Sequence, residues 1–186
     1  MKGNFPNPYP LNLDQNLTLK PLSPDQTNDF FAFVQQNRNH LEQFDPFVAA
    51  FHTSTDVHNV LSKISRLRQE GQSLSCGIWM NNKIIGYFNC GLDHEKKAIQ
   101  IGYGLASNHT GQGIITRTAR AILNYAFQNY NMNYAWLTVW IDNASSIKVA
   151  ERLGFKREDK VLPAKPERGI LTEQYRYTLE KPTNFN

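Results

Sequence analysis

The chain has 186 residues, 40% apolar and 19% charged, which suits one domain with a sizeable core and excludes a disordered chain. No apolar run approaches the ~20 residues of a membrane span, and the Asn- and Pro-rich start, Met1 to Leu13, lacks the apolar heart of a signal peptide. The net charge of +4 is carried in runs no longer than a pair, so a solvated basic surface or a polyanionic ligand accounts for it better than direct nucleic-acid binding.

In chain order, Asn16 to Pro21 alternates as a strand through Leu17 and Leu19. Ser23 to Asn39 is expected to be helical, with Ser23 as cap, Pro24 in the first turn and Phe30, Phe31, Phe33 and Val34 as its apolar stripe. The loop His40 to Ser54 is aromatic (Phe44, Phe47, Phe51), and Asp56 to Glu70 repeats apolar residues at helical spacing before Gly71. Ser73 to Met80 and Lys83 to Leu92 form a hairpin across Asn81-Asn82, residues that tolerate positive φ. Ala98 to Ala106 is a further strand, and Ile114 to Tyr130 a strongly periodic helix. Tyr134 to Ile141 is a near-continuous apolar strand, as when both sheet faces are covered. Asn143 can cap a short helix that Gly154 ends, and strands over Lys156 to Leu162 and Ile170 to Leu179 finish the chain.

The order is β-α-α-β-β-β-α-β-α-β-β, an α/β sandwich around a mixed sheet. No repeat or linker divides it, so residues 1–186 read as one domain. Cys76 and Cys90 are too few for a disulfide scaffold, and the hairpin register would set Cys76 opposite Tyr87. They read as small core residues of a reduced, cytoplasmic protein.

Two polar signatures stand out. Asn108-His109-Thr110-Gly111-Gln112-Gly113-Ile114 opens the long helix, and Asn143-Ala144-Ser145-Ser146 opens the short one. A glycine loop at a helix start presents free N–H groups and a positive dipole end, a cradle for phosphate. A Walker loop is excluded because no lysine follows Gly113. A Rossmann turn would use Gly111 and Gly113, with Asp142 for a ribose. Thr116, however, replaces its third glycine, an antiparallel hairpin precedes the unit, and too little chain follows to complete a doubly wound sheet. A purely structural glycine turn is the remaining rival.

Those residues resemble the GNAT superfamily of acetyl-CoA-dependent N-acetyltransferases from about Leu17 to Leu179. The family pattern Gln/Arg-x-x-Gly-x-Gly/Ala falls on Asn108 to Gly113, with Asn108 departing at the first position. Ile99-Gln100-Ile101-Gly102-Tyr103-Gly104-Leu105, Asn143-x-x-Ser146 and Ala150-Glu151-Arg152-Leu153-Gly154-Phe155 resemble the Rim-type enzymes, which acetylate α-amino groups of ribosomal proteins. The resemblance implies a GNAT-type α/β fold. Its mixed, mostly antiparallel sheet would carry two central parallel strands, Ala98–Ala106 and Tyr134–Ile141, that splay apart between flanking helices.

It also implies roles. Acetyl-CoA is the co-substrate, without a metal. Its pyrophosphate would lie on Thr110, Gly111, Gln112, Gly113 and Ile114, with a hydroxyl contact from Thr116. The pantetheine arm would pair near Leu105 and Ala106 and accept a bond from Asn143, and a backbone N–H there would polarise the thioester. Ser146 would protonate the leaving thiolate, with Ser145 less well aligned, in direct ternary-complex transfer.

The base stays open between Asp93, His94 and Glu95 on the hairpin exit, ordered water, and Glu167. The last lies two residues beyond Lys165, where a Rim-type glutamate would align, and so on the same strand face. The acceptor cleft would be walled by Phe44, Phe47, Phe51, His52 and the segment Leu162 to Gly169. Its few acids, Asp45 and Glu167, favour a protein N-terminus over an aminoglycoside or polyamine. A catalytically silent acyl-CoA-binding module, and a homodimer, stay compatible with the sequence.

Overall fold

The computed structural model describes residues 6–163 and 173–182. Its first strands, β1 (Leu11–Asn12) and β2 (Leu17–Pro21), pair antiparallel and bury Leu17 and Leu19 completely. A 3-10 turn over Pro24–Gln26 precedes helix α1 (Thr27–Leu41), and the Ser23 N–H donates to the Gln26 side chain at 2.8 Å. The aromatic loop contains a helix that the sequence did not predict, α2 (Pro46–Ala49). Asp45 caps it by accepting the Phe47 N–H at 2.9 Å, and Pro46 occupies the first turn, where no amide donor is needed.

Helix α3 (Ser54–Gln69) starts slightly before the expected residue because Thr53 and Asp56 form a capping box. The Asp56 N–H donates to Thr53 Oγ1 at 3.2 Å, and the Thr53 N–H to Asp56 Oδ2 at 2.7 Å.

Then follow β3 (Cys76–Met80), β4 (Lys83–Asp93), β5 (Ala98–Leu105), α4 (Ile114–Asn129), β6 (Tyr134–Trp140), α5 (Ala144–Arg152), β7 (Lys156–Pro163) and β8 (Glu173–Glu180). The described strands form one sheet in the order β1-β2-β3-β4-β5-β6-β8-β7, antiparallel except for the parallel pair β5–β6. This is the mixed sheet that the sequence suggested. No helix among the described residues is long and apolar enough to cross a membrane.

Apolar residues cover both faces. Helix α4 buries Ile114, Ile115, Ala119, Ile122, Leu123, Ala126 and Phe127 against Ile78, Phe88, Ile99 and Ile101. On the other face Phe30, Phe33, Val48, Phe51 and Leu61 surround Tyr87. The Tyr87 ring meets Phe30 at 5.7 Å and Phe33 at 6.4 Å edge to face, the arrangement that aromatic quadrupoles favour.

The hairpin register differs from expectation by one residue. Cys76 lies opposite Phe88, and Gly77 opposite Tyr87. A bulge explains it: Ile78 pairs with Gly86 but Trp79 with Ile84, leaving Ile85 as the extra residue. Cys76 and Cys90 are free and fully buried. Burial pushes the Cys76 thiol up to about 12 and raises Cys90 as well, which removes the thiolate that a nucleophile would need.

One gap in the sheet positions the site. Ala98, Ile99 and Gln100 pair with Tyr134, Ala135 and Trp136, and there the parallel pairing stops. Beyond that point β4 still holds β5 as far as Leu105, and β8 holds β6 as far as Trp140. Each strand keeps its outer neighbour while the edges between them face a cleft.

Thr53→Ala should cost about 1 kcal/mol and lower Tm by about 2–4 °C at neutral pH. The Thr53 hydroxyl is the largest cause holding the Asp56 carboxyl below its usual pKa. Stability from that shift is present above the unfolded carboxylate pKa of about 3.9 and is lost as pH falls through the folded value. The Tm difference between wild type and variant should therefore narrow below about pH 4, as calorimetric scans across pH would show.

Candidate active site

The glycine loop is held by its own side chains. Thr110 Oγ1 donates to the Ser107 carbonyl at 2.8 Å, and Gln112 Nε2 to the Asn108 carbonyl at 3.2 Å. Gly111 and Gly113 have φ of 75° and 71°, a left-handed conformation in which a side chain is strained. A Cβ added at either would meet nothing within 4 Å, so the face of the loop is open to approach. Gly113 is the N-cap of α4 and provides no capping side chain, which leaves the first-turn N–H groups to face an anion. Thr116, in that turn, is 4% exposed and borders the cleft. Its Oγ1 has no hydrogen-bond partner among the described residues. A buried polar atom in that state fits a ligand oxygen.

From the loop a cavity of about 500 Å³ runs between the splayed strands, along Ile101 to Leu105 and Leu137 to Trp140. Leu105 and Ala106, expected to act together, are treated differently. The Ala106 N–H donates to the Ile85 carbonyl at 2.8 Å, and the Ala106 carbonyl accepts from the His109 N–H at 3.0 Å. Both backbone groups of Ala106 thus have partners within the protein. Antiparallel pairing alternates, so Leu105, opposite Gly86, turns its N–H away from β4 and toward the open edge.

Asn143 is a helix cap, its Oδ1 accepting the Ser146 N–H at 3.0 Å and the Ser145 hydroxyl at 2.8 Å. That commits Ser145 to the cap. Ser146 lines the cleft together with Tyr103, a β5 residue to which the sequence assigned no role beyond its place in the Ile99 to Leu105 motif. Tyr103 stacks on Phe88 with centroids 6.3 Å apart, and burial pushes its hydroxyl up to about 12, with Ser146 acting in the opposite direction. The hydroxyl contact is loose, since Tyr103 Oη makes no hydrogen bond of good geometry among the described residues.

The hairpin-exit candidates for a base lie at the wrong end. Asp93 faces Ala98, at the end of β5 where the strands are paired, whereas Leu105 lies ~23 Å further along the strand. Parallel strands open their crevice at their carboxyl ends, and the β4–β5 turn is at the amino end. Asp93 accepts the Lys96 N–H at 3.0 Å, the largest cause holding its carboxyl below the usual range. His94 Nε2 meets the Gly71 carbonyl at 2.7 Å, and Glu95 is exposed in the turn. Glu167 and Lys165 lie outside the described residues.

The end of the cleft expected to take the acceptor is bordered by His40, Leu41, Phe44, Asp45 and Pro46. Asp45 is the only carboxylate among the described lining residues. Among the described residues no cluster of three or more His, Cys, Asp or Glu is placed to hold a metal.

Known proteins share this fold. The chain is 23% identical over 146 residues to the ribosomal-protein-serine acetyltransferase of Escherichia coli (strain K12), covering 78% of this chain and 82% of that relative. Among solved structures, the microcin C7 self-immunity acetyltransferase MccE, in complex with acetyl-CoA and AMP, superposes with a TM-score of 0.85 at 21% identity, over 94% of this chain and 98% of the other. RimL, a ribosomal alpha-N-protein acetyltransferase in complex with coenzyme A, also gives 0.85 at 20% identity, over 91% and 96%. The profile of the acetyltransferase (GNAT) domain matches residues 16–156. That span runs from the first alternating strand through the glycine loop and past Ser146, and the chain belongs to the GNAT acetyltransferase family.

Proposed function

We propose that this acetyltransferase moves the acetyl group of acetyl-CoA onto the N-terminal α-amine of a protein, a ribosomal protein being the leading class, by direct transfer in a ternary complex. The observation that carries this is the continuous path from the open glycine loop, past Thr116, to the unpaired edge of β5 beside Ser146 and Tyr103. Names of relatives that act on ribosomal proteins support the acceptor class.

The donor supplies an activated thioester; the chain supplies position and protons. Gly111, Gly113 and the first turn of α4 hold the diphosphate through N–H groups, and Thr116 adds its hydroxyl. Asn143, whose carbonyl oxygen is used in the cap, directs its amide NH₂ at the arm. The Leu105 N–H polarises the carbonyl from a fixed strand. Ser146 donates to the departing sulfur, and Tyr103, a phenol and so a stronger acid than an alkanol, stands behind it as a protonated donor at neutral pH. A thiol's ordinary pKa of about 8.5 makes that sulfur a modest base.

Substituting both Gly111 and Gly113 by valine should abolish acetyl-CoA binding in calorimetry, because the side chains would fill the face of approach. Unchanged affinity would remove the loop from the site. Ser146→Ala should reduce kcat by about 10²-fold with acetyl-CoA affinity nearly intact, and Tyr103→Phe by a smaller factor, about tenfold. A stable acetyl adduct on the protein, seen by mass spectrometry, would replace direct transfer with a two-step route.

The acceptor is tested by acetyl-CoA consumption against peptides beginning with Ser or Ala, aminoglycosides and polyamines. Peptides should be acetylated, with rates rising through the α-amine pKa of about 7.7–8.0. Activity on small polyamines alone would reject the protein acceptor, and no consumption with any amine would leave a silent acyl-CoA-binding module.

A further inference from the structure

One acid stands at the acceptor end of the cleft, and it is built in rather than free on a surface. Asp45 Oδ1 accepts the Phe47 N–H at 2.9 Å, and its Oδ2 accepts the hydroxyl of Tyr87. Both partners are donors, matched to an ionised carboxylate. Tyr87 is fully buried among Phe30, Phe33 and Phe47. Burial, and then the Asp45 carboxylate, push its pKa well up, so it remains a donor. The loop is pinned a second time across the cleft, where Trp140 Nε1 at the end of β6 donates to the Phe44 carbonyl at 2.8 Å.

Placement is as telling as the grip. Tyr87 pairs with Gly104 across β4 and β5, and a Cβ built on Gly104 would lie 2.5 Å from the Tyr87 hydroxyl. The phenol therefore reaches over β5 where a side chain is missing. Its hydrogen bond sets the Asp45 carboxylate about 5 Å from that point, one residue from the Leu105 N–H at the open edge.

Charge then selects a ligand. Besides the Tyr103 phenol, the other described charged or titratable side chains on the cleft are His40, His109, Lys148 and Arg152. Against these, the Asp45 carboxylate can receive an ammonium group. Asp45 has an interaction beyond the two bonds above, but a carboxylate offers about four acceptor sites.

We infer that Asp45, held by Tyr87 through the space that Gly104 leaves, is the subsite for the acceptor's ammonium group. The inference rests on the acetyl-transfer function proposed above and adds the residue that recognises the acceptor. It treats the bound state only; the ammonium gives one proton to water before the neutral amine attacks.

The test uses two inhibitors built on an accepted peptide. One carries an N-terminal dimethylamine, cationic but unable to yield a stable amide, and the other has hydrogen in place of the amine. Wild type should bind the cationic peptide at least about tenfold more tightly. In Asp45→Asn, which keeps the cap and an acceptor for Tyr87, the preference should fall below about twofold, with calorimetric acetyl-CoA affinity unchanged.

Tyr87→Phe serves if Asp45→Asn fails to fold, and should reduce the preference about threefold. An undiminished preference in whichever variant folds, or none in wild type that does acetylate amines, would overturn the subsite alone. A wild type that acetylates no amine would overturn the function and the subsite together.

Discussion

The structure depends on a parallel pairing that stops after three residues. β5 and β6 are joined only at Ala98–Gln100 and Tyr134–Trp136. A sheet edge left open inside a protein exposes unpaired N–H and C=O groups, which are costly unless something satisfies them. Here the open edge faces a cleft, where solvent or a ligand can reach those groups, and each strand keeps its place because its other side is held, β5 by β4 and β6 by β8. The two helices that follow these strands, α4 and α5, then start at the mouth of the gap and aim their amino ends at it.

Rigidity around the gap comes from interlocking small and large residues. Gly104 has no side chain, so Tyr87 can cross β5. Tyr87 in turn fills the centre of the α1–α3 layer and ends on Asp45, which caps α2. A change at any of these positions would be felt at the others, because a close-packed interior has little room to absorb displaced volume. Trp140 closes the circuit by tying Phe44 to β6. This wall of the cleft is therefore fastened to β4 through Tyr87 and to β6 through Trp140, although it belongs to a loop that carries little regular structure.

Individual elements show what local sequence could and could not convey. The stripe along Ile114 to Phe127 announced α4, and the glycines before it announced a helix start without a capping side chain, since periodicity and φ preference are local properties. The bulge at Ile78/Trp79 carried no such signal. It moved Cys76 from Tyr87 to Phe88 because sheet register is settled between strands. Asp93 to Glu95 were judged by closeness along the chain, but the turn that carries them lies at the closed end of the parallel pair. Asp45 and Tyr103 follow the same rule: along the chain one is a sparse acid and the other a position in the Ile99 to Leu105 motif, and only their neighbours across the fold distinguish them.

By itself, then, the sequence determined all the long helices and most of the strands, the glycine loop and the short capped helix with Ser146, because each is specified by residues within a few positions of one another. The tertiary structure decided which backbone groups remain available on β5. It committed Ala106 to Ile85 and turned Leu105 to the open edge, and it brought Tyr103 to Ser146 and Tyr87 to Asp45. These are contacts between segments distant in the chain, and they depend on strand register and on which face each side chain takes. A one-residue shift in pairing reverses both.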